Sequence, residues 1–268
     1  MLTTLLINTL LFALITFSYV TIVFFIAQLK RDNSIMDIAY GPLVALGAWS
    51  TIVVSETMTP LAVLIAVLTT LWAARLSLRI ARKNWGQPED ARYRAWREEW
   101  MRRGAGYFAL RSYLQINLLQ GLVILIISLP FLVALSHGPQ LGNIYTIVGI
   151  AIMLFGLTYE AIADWQLDRF VARKRAGTET ATLMTSGLFH FSRRPNYFGE
   201  SLIWWGLAVI AYPLSFGPVA FLSPLLITYI LTKVTGPMLE RIFLEKYPDE
   251  YRAYMASTNY FIPGRPRS

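Results

Sequence analysis

The sequence predicts an all-α, polytopic integral membrane bundle of about seven transmembrane helices, with its N-terminus outside and its C-terminus cytoplasmic. Two observations predict the bundle and a third sets its orientation. Of 268 residues, 55% are hydrophobic and the mean hydropathy is positive, which an ordinary soluble domain does not show. The apolar residues are gathered into runs approaching or exceeding the roughly 20 residues that a helix needs to cross a hydrocarbon core about 30 Å thick. Lys and Arg, which short loops retain on the cytoplasmic side, occupy alternate connections only.

In chain order the runs are 2–28, 35–54, 61–80, 113–135, 144–165, 197–212 and 219–233. The first has no basic stretch ahead of it and no small-residue cleavage site at its end, so it reads as a retained helix. The second and fifth carry acids, and the sixth is short. Basic residues lie at Lys30 and Arg31, across 82–111, across 169–194 and across 233–267. The connections 55–60, 136–143 and 213–218 contain none. An odd number of crossings with the N-terminus outside satisfies this pattern, and the expected location is the cell's inner (plasma) membrane.

The net charge of +8 follows from that topology and from attraction to anionic lipid, so nucleic acid is not an expected partner. The absence of cysteine excludes disulfides, thiolate catalysis and Cys-ligated metal, and two histidines, His137 and His190, do not make a histidine-rich metal site. No internal repeat or low-complexity linker interrupts the chain, which reads as a single membrane domain over 1–268. The connection 82–111 mixes both charge signs with Trp85, Trp96 and Trp100 at near-helical spacing. That pattern fits a helix along the headgroups, tryptophans at the interface and arginines toward lipid phosphate.

Ionisable groups inside apolar runs cost several kcal/mol unless they face a partner or a wet cavity. Four acids meet that description: Asp37 in the second run, Glu160 and Asp164 at i, i+4 in the fifth, and Glu200 in the sixth. All four fall in the cytoplasmic half of their helices. They either lock packing by pairing with Arg75, Arg79 or Arg169, or converge with basic groups into a polar cavity suited to an anionic ligand.

The densest polar segment, 187–200, reads G-L-F-H-F-S-R-R-P-N-Y-F-G-E. Pro195 fits a first helical turn, and Arg193 and Arg194 before it add positive charge to a helix N-terminus that already favours anions, a phosphate site. Asn196 and Glu200 share a face one turn apart and offer amide donors and a carboxylate to the same ligand.

The segments R-R-P-N-Y-F-G-E and A-D-W-Q-L-D-R-F, and the tail L-E-K-Y-P-D-E-Y-R-A-Y followed by N-Y-F-I-P, resemble the C-terminal region of the steroid 5-alpha-reductase family, and its bacterial branch most. The resemblance extends to D-N-S-I-M-D-I-A-Y-G and R-K-N-W-G, and its cofactor region covers 113–268. It implies a seven-helix membrane reductase that binds NADPH from the cytoplasm and delivers hydride to a C=C bond conjugated to a carbonyl. The lipophilic small-molecule substrate would be a 3-oxo-4-ene steroid-like molecule or an isoprenoid. Carried over by motif, Asp164, Arg169, Arg194, Asn196, Tyr197 and Glu200 would contact the cofactor, with Asn84 a further candidate, and Asp37 would stand near the substrate carbonyl. The helix-three tyrosine of the animal enzymes is absent, since this chain reads L-W-A-A-R there. The proton donor is then Asp37 in its protonated form or Tyr40, three residues on and on the same face. Two other classes stay open: a methyltransferase of the isoprenylcysteine carboxyl type using S-adenosylmethionine, whose R-H-P-x-Y…E signature is similar, and a non-catalytic transporter or scaffold. Membrane lipids are expected neighbours and no obligate protein partner is evident.

Overall fold

The computed structural model describes residues 2–139 and 142–267. The connection 136–143 is thus described in part only, since Gln140 and Leu141 lie outside the described residues, as do Met1 and Ser268. All regular structure among the described residues is helical. In order these are α1 (Leu2–Lys30), α2 (Ile35–Val54), α3 (Pro60–Asn84), α4 (Ala91–Met101), α5 (Ala105–Arg111), a π-helical segment (Ser112–Leu118), α6 (Leu119–Ile127) and α7 (Leu129–His137). Then come α8 (Ile144–Arg175), a 3-10 turn (Gly187–His190), α9 (Pro195–Ala211), a 3-10 turn (Gly217–Phe221), α10 (Leu222–Tyr229), a second π segment (Ile230–Thr235), α11 (Gly236–Lys246) and α12 (Pro248–Ser257).

Among the described residues, six helical stretches are long and apolar enough to cross a membrane: Leu2–Lys30, Ile35–Val54, Pro60–Asn84, Ala105–Ile127, Ile144–Arg175 and Gly217–Lys246. Large apolar side chains stand open on their outer faces, with Leu6, Leu10, Leu14 and Phe17 of α1 each more than half exposed. Such a contiguous apolar face suits lipid and not water. The run 197–212 folds as the 17-residue α9 and is not among the six. The chain divides into two compact units: 1–143 with 211–220, and 144–210 with 221–268.

In the first unit, α2 and α3 form the main antiparallel pair. Pro60 opens α3 behind Thr59, whose hydroxyl accepts from the Ala62 N–H at 3.2 Å. Gly41 lets α2 approach the α3 backbone, since a Cβ there would lie 2.6 Å from the Ala73 carbonyl oxygen. Phe12 of α1 packs edge-on against Phe131 of α7 at 5.9 Å within the core.

The fourth crossing is broken for one residue only. Pro130 cannot donate, yet the Ser128 N–H still bonds to Ile124 and the Leu132 N–H to Ser128, so α6 runs on into α7. Gln120 meets Asp37 at the start of α2, and Ser136 meets Asn8 beside Ser55 at its end. The stretch from Gln120 to Ser136 therefore lies along the whole of α2. The expected run 113–135 follows that path, while its helix starts earlier, at Ala105.

In the second unit, α8 and α9 meet backbone to backbone. Gly149 and Gly156 of α8 face Gly206 and Gly199 of α9: a Cβ at Gly206 would lie 2.6 Å from the Gly149 oxygen, and one at Gly156 2.8 Å from the Gly199 oxygen. α8 continues ten residues past the expected end at Trp165. At about 1.5 Å per residue its 32 residues reach about 48 Å, well beyond a hydrocarbon core of roughly 30 Å. Beyond α11, α12 and the tail fold back, with Leu183, Tyr251 and Tyr254 as a small core of their own.

Candidate functional site

In the first unit the polar centre is Asp37, in the first turn of α2. Ser34 precedes the helix, and its N–H and hydroxyl both donate to Asp32, which leaves Asp37 free of capping work. Three donors reach Asp37 instead. The Tyr93 hydroxyl donates to Oδ1 at 2.6 Å, Gln120 Nε2 to the same oxygen at 3.4 Å, and Arg92 Nη2 to Oδ2 at 3.2 Å. Gln120 Nε2 also donates to the Tyr93 hydroxyl at 3.2 Å, closing a ring of three side chains from α2, α4 and α6.

The α4 end of this ring is held from outside the membrane-crossing helices. Asp90 caps α4 by accepting from the Arg92 N–H at 3.0 Å, and its carboxylate also takes Arg92 Nε at 3.0 Å. Glu89 takes Arg97 in a two-point ion pair at 2.7 and 2.9 Å and accepts the Asn33 N–H at 2.7 Å, tying the connection before α4 to the connection before α2. Burial, with the Asp37 charge added, pushes the Tyr93 phenol far above its ordinary value. Burial also works against the Asp90 carboxylate, but the hydrogen bonds and charge of Arg92 outweigh it and hold Asp90 below the usual range.

Tyr40 packs its ring edge-on against Trp72 of α3 at 6.3 Å. Asn84 closes α3 and accepts the Gln87 N–H on its carbonyl at 3.0 Å. Of the three tryptophans expected at the headgroups, Trp85 and Trp96 are exposed. Trp100 turns inward under the Arg111 guanidinium, 5.5 Å from its ring.

In the second unit the structure separates the two adjacent arginines. Arg193 is buried, and its guanidinium donates to Glu240 Oε1 at 2.8 Å and to the carbonyls of Met255 and Thr258 at 3.2 and 2.6 Å. Its own N–H bonds to the Asn259 carbonyl at 2.8 Å. Arg193, expected at a phosphate, thus clamps the C-terminal tail.

Arg194 is different. Its guanidinium lies 5.9 Å from the Tyr197 ring and 5.6 Å from the Phe243 ring. Its Nε and Nη2 are shut off from solvent and meet no hydrogen-bond partner among the described residues. Tyr251, Tyr254 and Tyr260 stand around it; burial pushes all three phenols up, and the positive charge of Arg194 pulls against that. The Tyr254 hydroxyl donates to the Phe189 carbonyl at 2.5 Å and that of Tyr260 to the Thr232 carbonyl at 3.0 Å, in the π segment before α11. Such segments recur at functional positions.

Asn196 and Tyr197 occupy the first turn of α9, half-buried, and Glu200 accepts from Trp204 Nε1 at 3.1 Å. Glu160 and Asp164 are buried on α8, and the α9 backbone at Gly199 closes directly on Glu160. Arg169 lies exposed, its guanidinium 4.9 Å from the Trp165 ring. Sequence reasoning missed Tyr93, Gln120 and Glu240. Gln120 left a readable signal, as one of three amides, with Gln115 and Asn117, inside the fourth apolar run. Tyr93 left none, because it sits in a connection among charged residues.

The family described as "Protein of unknown function (DUF1295)" matches residues 23–258 of the chain. An uncharacterized protein of Schizosaccharomyces pombe, C594.04c, is 26% identical over 227 residues, covering 75% of this chain and 62% of that protein. The chain thus spans about three-fifths of the length of the curated relative it matches. No solved structure matches it.

Proposed function

We propose that this chain, which belongs to the DUF1295 family, is an NADPH-dependent membrane reductase acting on a C=C bond conjugated to a carbonyl in a lipophilic substrate. The observation that carries the reading is Arg194, whose buried guanidinium nitrogens have no hydrogen-bond partner among the described residues. A desolvated cation of this kind requires an anion, and a phosphate fits the planar fork. Arg194 would hold a cofactor phosphate, with Asn196, Tyr197 and Glu200 beside it on α9 and Asp164 and Arg169 contributing from α8. When bound, NADPH supplies the hydride for the β carbon.

The chain's own residues do the rest. As hydride is added, negative charge develops on the substrate's carbonyl oxygen and a proton must reach the α carbon. Asp37 accepts three hydrogen bonds, and a substrate oxygen would take up the Tyr93 hydroxyl or Gln120 Nε2 in place of their present acceptors in this ring. Asp37 then orients Tyr93 and carries the balancing charge. Tyr40, on the same face of α2, lines the site beside Trp72. This arrangement replaces the tyrosine that helix three lacks.

The reading includes a seventh crossing by α9, with the N-terminus outside, the C-terminus cytoplasmic and the protein in the inner membrane. The 17 residues of α9 span about 26 Å, which modest bilayer thinning accommodates. In detergent, NADPH should raise the melting temperature and S-adenosylmethionine should not. The reverse result moves the assignment to a methyltransferase, and stabilisation by neither removes the cofactor site.

A further inference from the structure

α4 presents two faces with different tasks. Tyr93, Arg97 and Trp100 recur at helical spacing and turn inward: Tyr93 onto Asp37, Arg97 onto Glu89 and the Phe108 ring at 4.7 Å, Trp100 under Arg111. Gly104, at φ 104°, turns the chain so that α5 packs back on α4, and Arg103 and Arg111 stack on Tyr107 at 5.2 and 5.8 Å. The α4–α5 hairpin is therefore built as a rigid unit. It is fixed to the first turn of α2, a helix apolar enough to span, and so stands at a membrane edge.

The exposed side of the stretch from the end of α3 to α5 is cationic in sum. The stretch 82–111 holds eight basic residues against four acids. Glu89 and Asp90 are taken by Arg97 and Arg92. Arg94 and Arg102 of the hairpin, and Arg82 and Lys83 in the last turn of α3, are exposed and form no ion pair with any described residue; Glu98 and Glu99 on α4 oppose them, and Lys83 also acts on Asp90 through its charge. Trp85, 84% exposed, and Trp96, 42% exposed, flank them with the amphipathic rings that favour headgroup depth.

We propose that the outer face of the α4–α5 hairpin binds anionic phospholipid headgroups, and that this seating holds Arg92 and Tyr93 against Asp37. The occupant follows from charge complementarity at a fixed depth: free guanidinium and ammonium groups beside interfacial tryptophans meet lipid phosphate. The polar ring around Asp37 is then complete only when the bilayer under α4 carries negative charge. The inference stands apart from the NADPH reading, because Arg194 plays no part in it.

The test is hydrogen–deuterium exchange of the full chain in nanodiscs of phosphatidylcholine alone and with phosphatidylglycerol. Phosphatidylglycerol should slow exchange of the α4 amides, and of the Asn33 amide bonded to Glu89, by about tenfold. Arg94→Gln/Arg102→Gln should abolish the slowing and Arg94→Lys/Arg102→Lys should retain it, which assigns the effect to charge. Equal exchange in the two lipids, or full slowing in the glutamine variant, overturns the proposal. So does equal slowing by NADPH or inorganic pyrophosphate in phosphatidylcholine discs, which would make the face a soluble-anion site. Loss of NADPH-dependent thermal stabilisation would leave these outcomes untouched.

Discussion

Tyr93 and Asp37 lie 56 residues apart in the chain and meet at 2.6 Å, the phenol donating to the carboxylate. Removing the hydroxyl with Tyr93→Phe should cost about 1.5–3 kcal/mol, the range for a hydrogen bond to a charged group. Turnover of an enone substrate should fall by about 100-fold or more, the contribution of a positioned acid, while NADPH-dependent stabilisation is kept. Asp37→Asn should likewise slow turnover with NADPH affinity nearly unchanged. A large loss of stability with activity intact would show that the pair serves packing alone. Thermal melts and NADPH oxidation on the same preparations separate the two.

The neighbouring arginines should respond in opposite ways. Arg193→Ala strands Glu240 and releases two side-chain hydrogen bonds to the tail, so it should destabilise by about 3–5 kcal/mol, as loss of one partner of a buried ion pair does. Limited proteolysis should then cut within 257–267. Arg194→Ala should leave the melting temperature without ligand close to that of the parent and abolish the NADPH shift. If both variants lose only the shift, Arg193 belongs to the cofactor site after all.

At the α8–α9 seam, Gly206→Ala places a methyl 2.6 Å from the Gly149 oxygen and 2.7 Å from the Met153 nitrogen. Neither is a side chain that can move aside, so the helices must separate, at about 1–3 kcal/mol. The melting temperature should drop, and by more than for Gly106→Ala, whose Cβ meets nothing within 4 Å.

Acid should loosen α4 at its start. The folded Asp90 carboxyl lies below its unfolded value of about 3.9, so its contribution is complete above that pH and is lost as pH falls through the folded value. Exchange at the first α4 amides, corrected for intrinsic rates, should therefore rise only below about pH 4. Asp90→Asn keeps a good cap without the charge and should flatten the profile.

Orientation is checked by a reporter after Arg267, active only in the cytoplasm, and by a second after Thr57, active only outside. The opposite pattern overturns the threading.

The crossings were legible because lipid demands long apolar runs, and α2 falls on its expected bounds, 35–54. Where polar helix adjoins apolar helix the signal fades. The extension of α8 to Arg175 and the start of the fourth crossing at Ala105 carry charges or small residues that no length rule counts. At the site, the sequence marked Asp37 and the Arg193–Arg194 pair, since charge near apolar runs is costly. Two identical adjacent residues give no sign of which one turns toward Glu240, because that depends on α11 and the tail folding back. Tyr93 was unreadable for a similar reason: only the docking of α4 on α2 makes one tyrosine among fourteen special.

The glycines of α8 and α9 bear on how a bilayer-dissolved molecule could reach an interior site. Where carbonyl oxygens of one helix stand so close to the backbone of the other that even a methyl group does not fit, no acyl chain or ring system passes between them. The seam repeats at two levels, Gly149 with Gly206 and Gly156 with Gly199, so it is shut across the middle of α9. For a molecule arriving sideways out of the lipid, the α8–α9 flank is a wall.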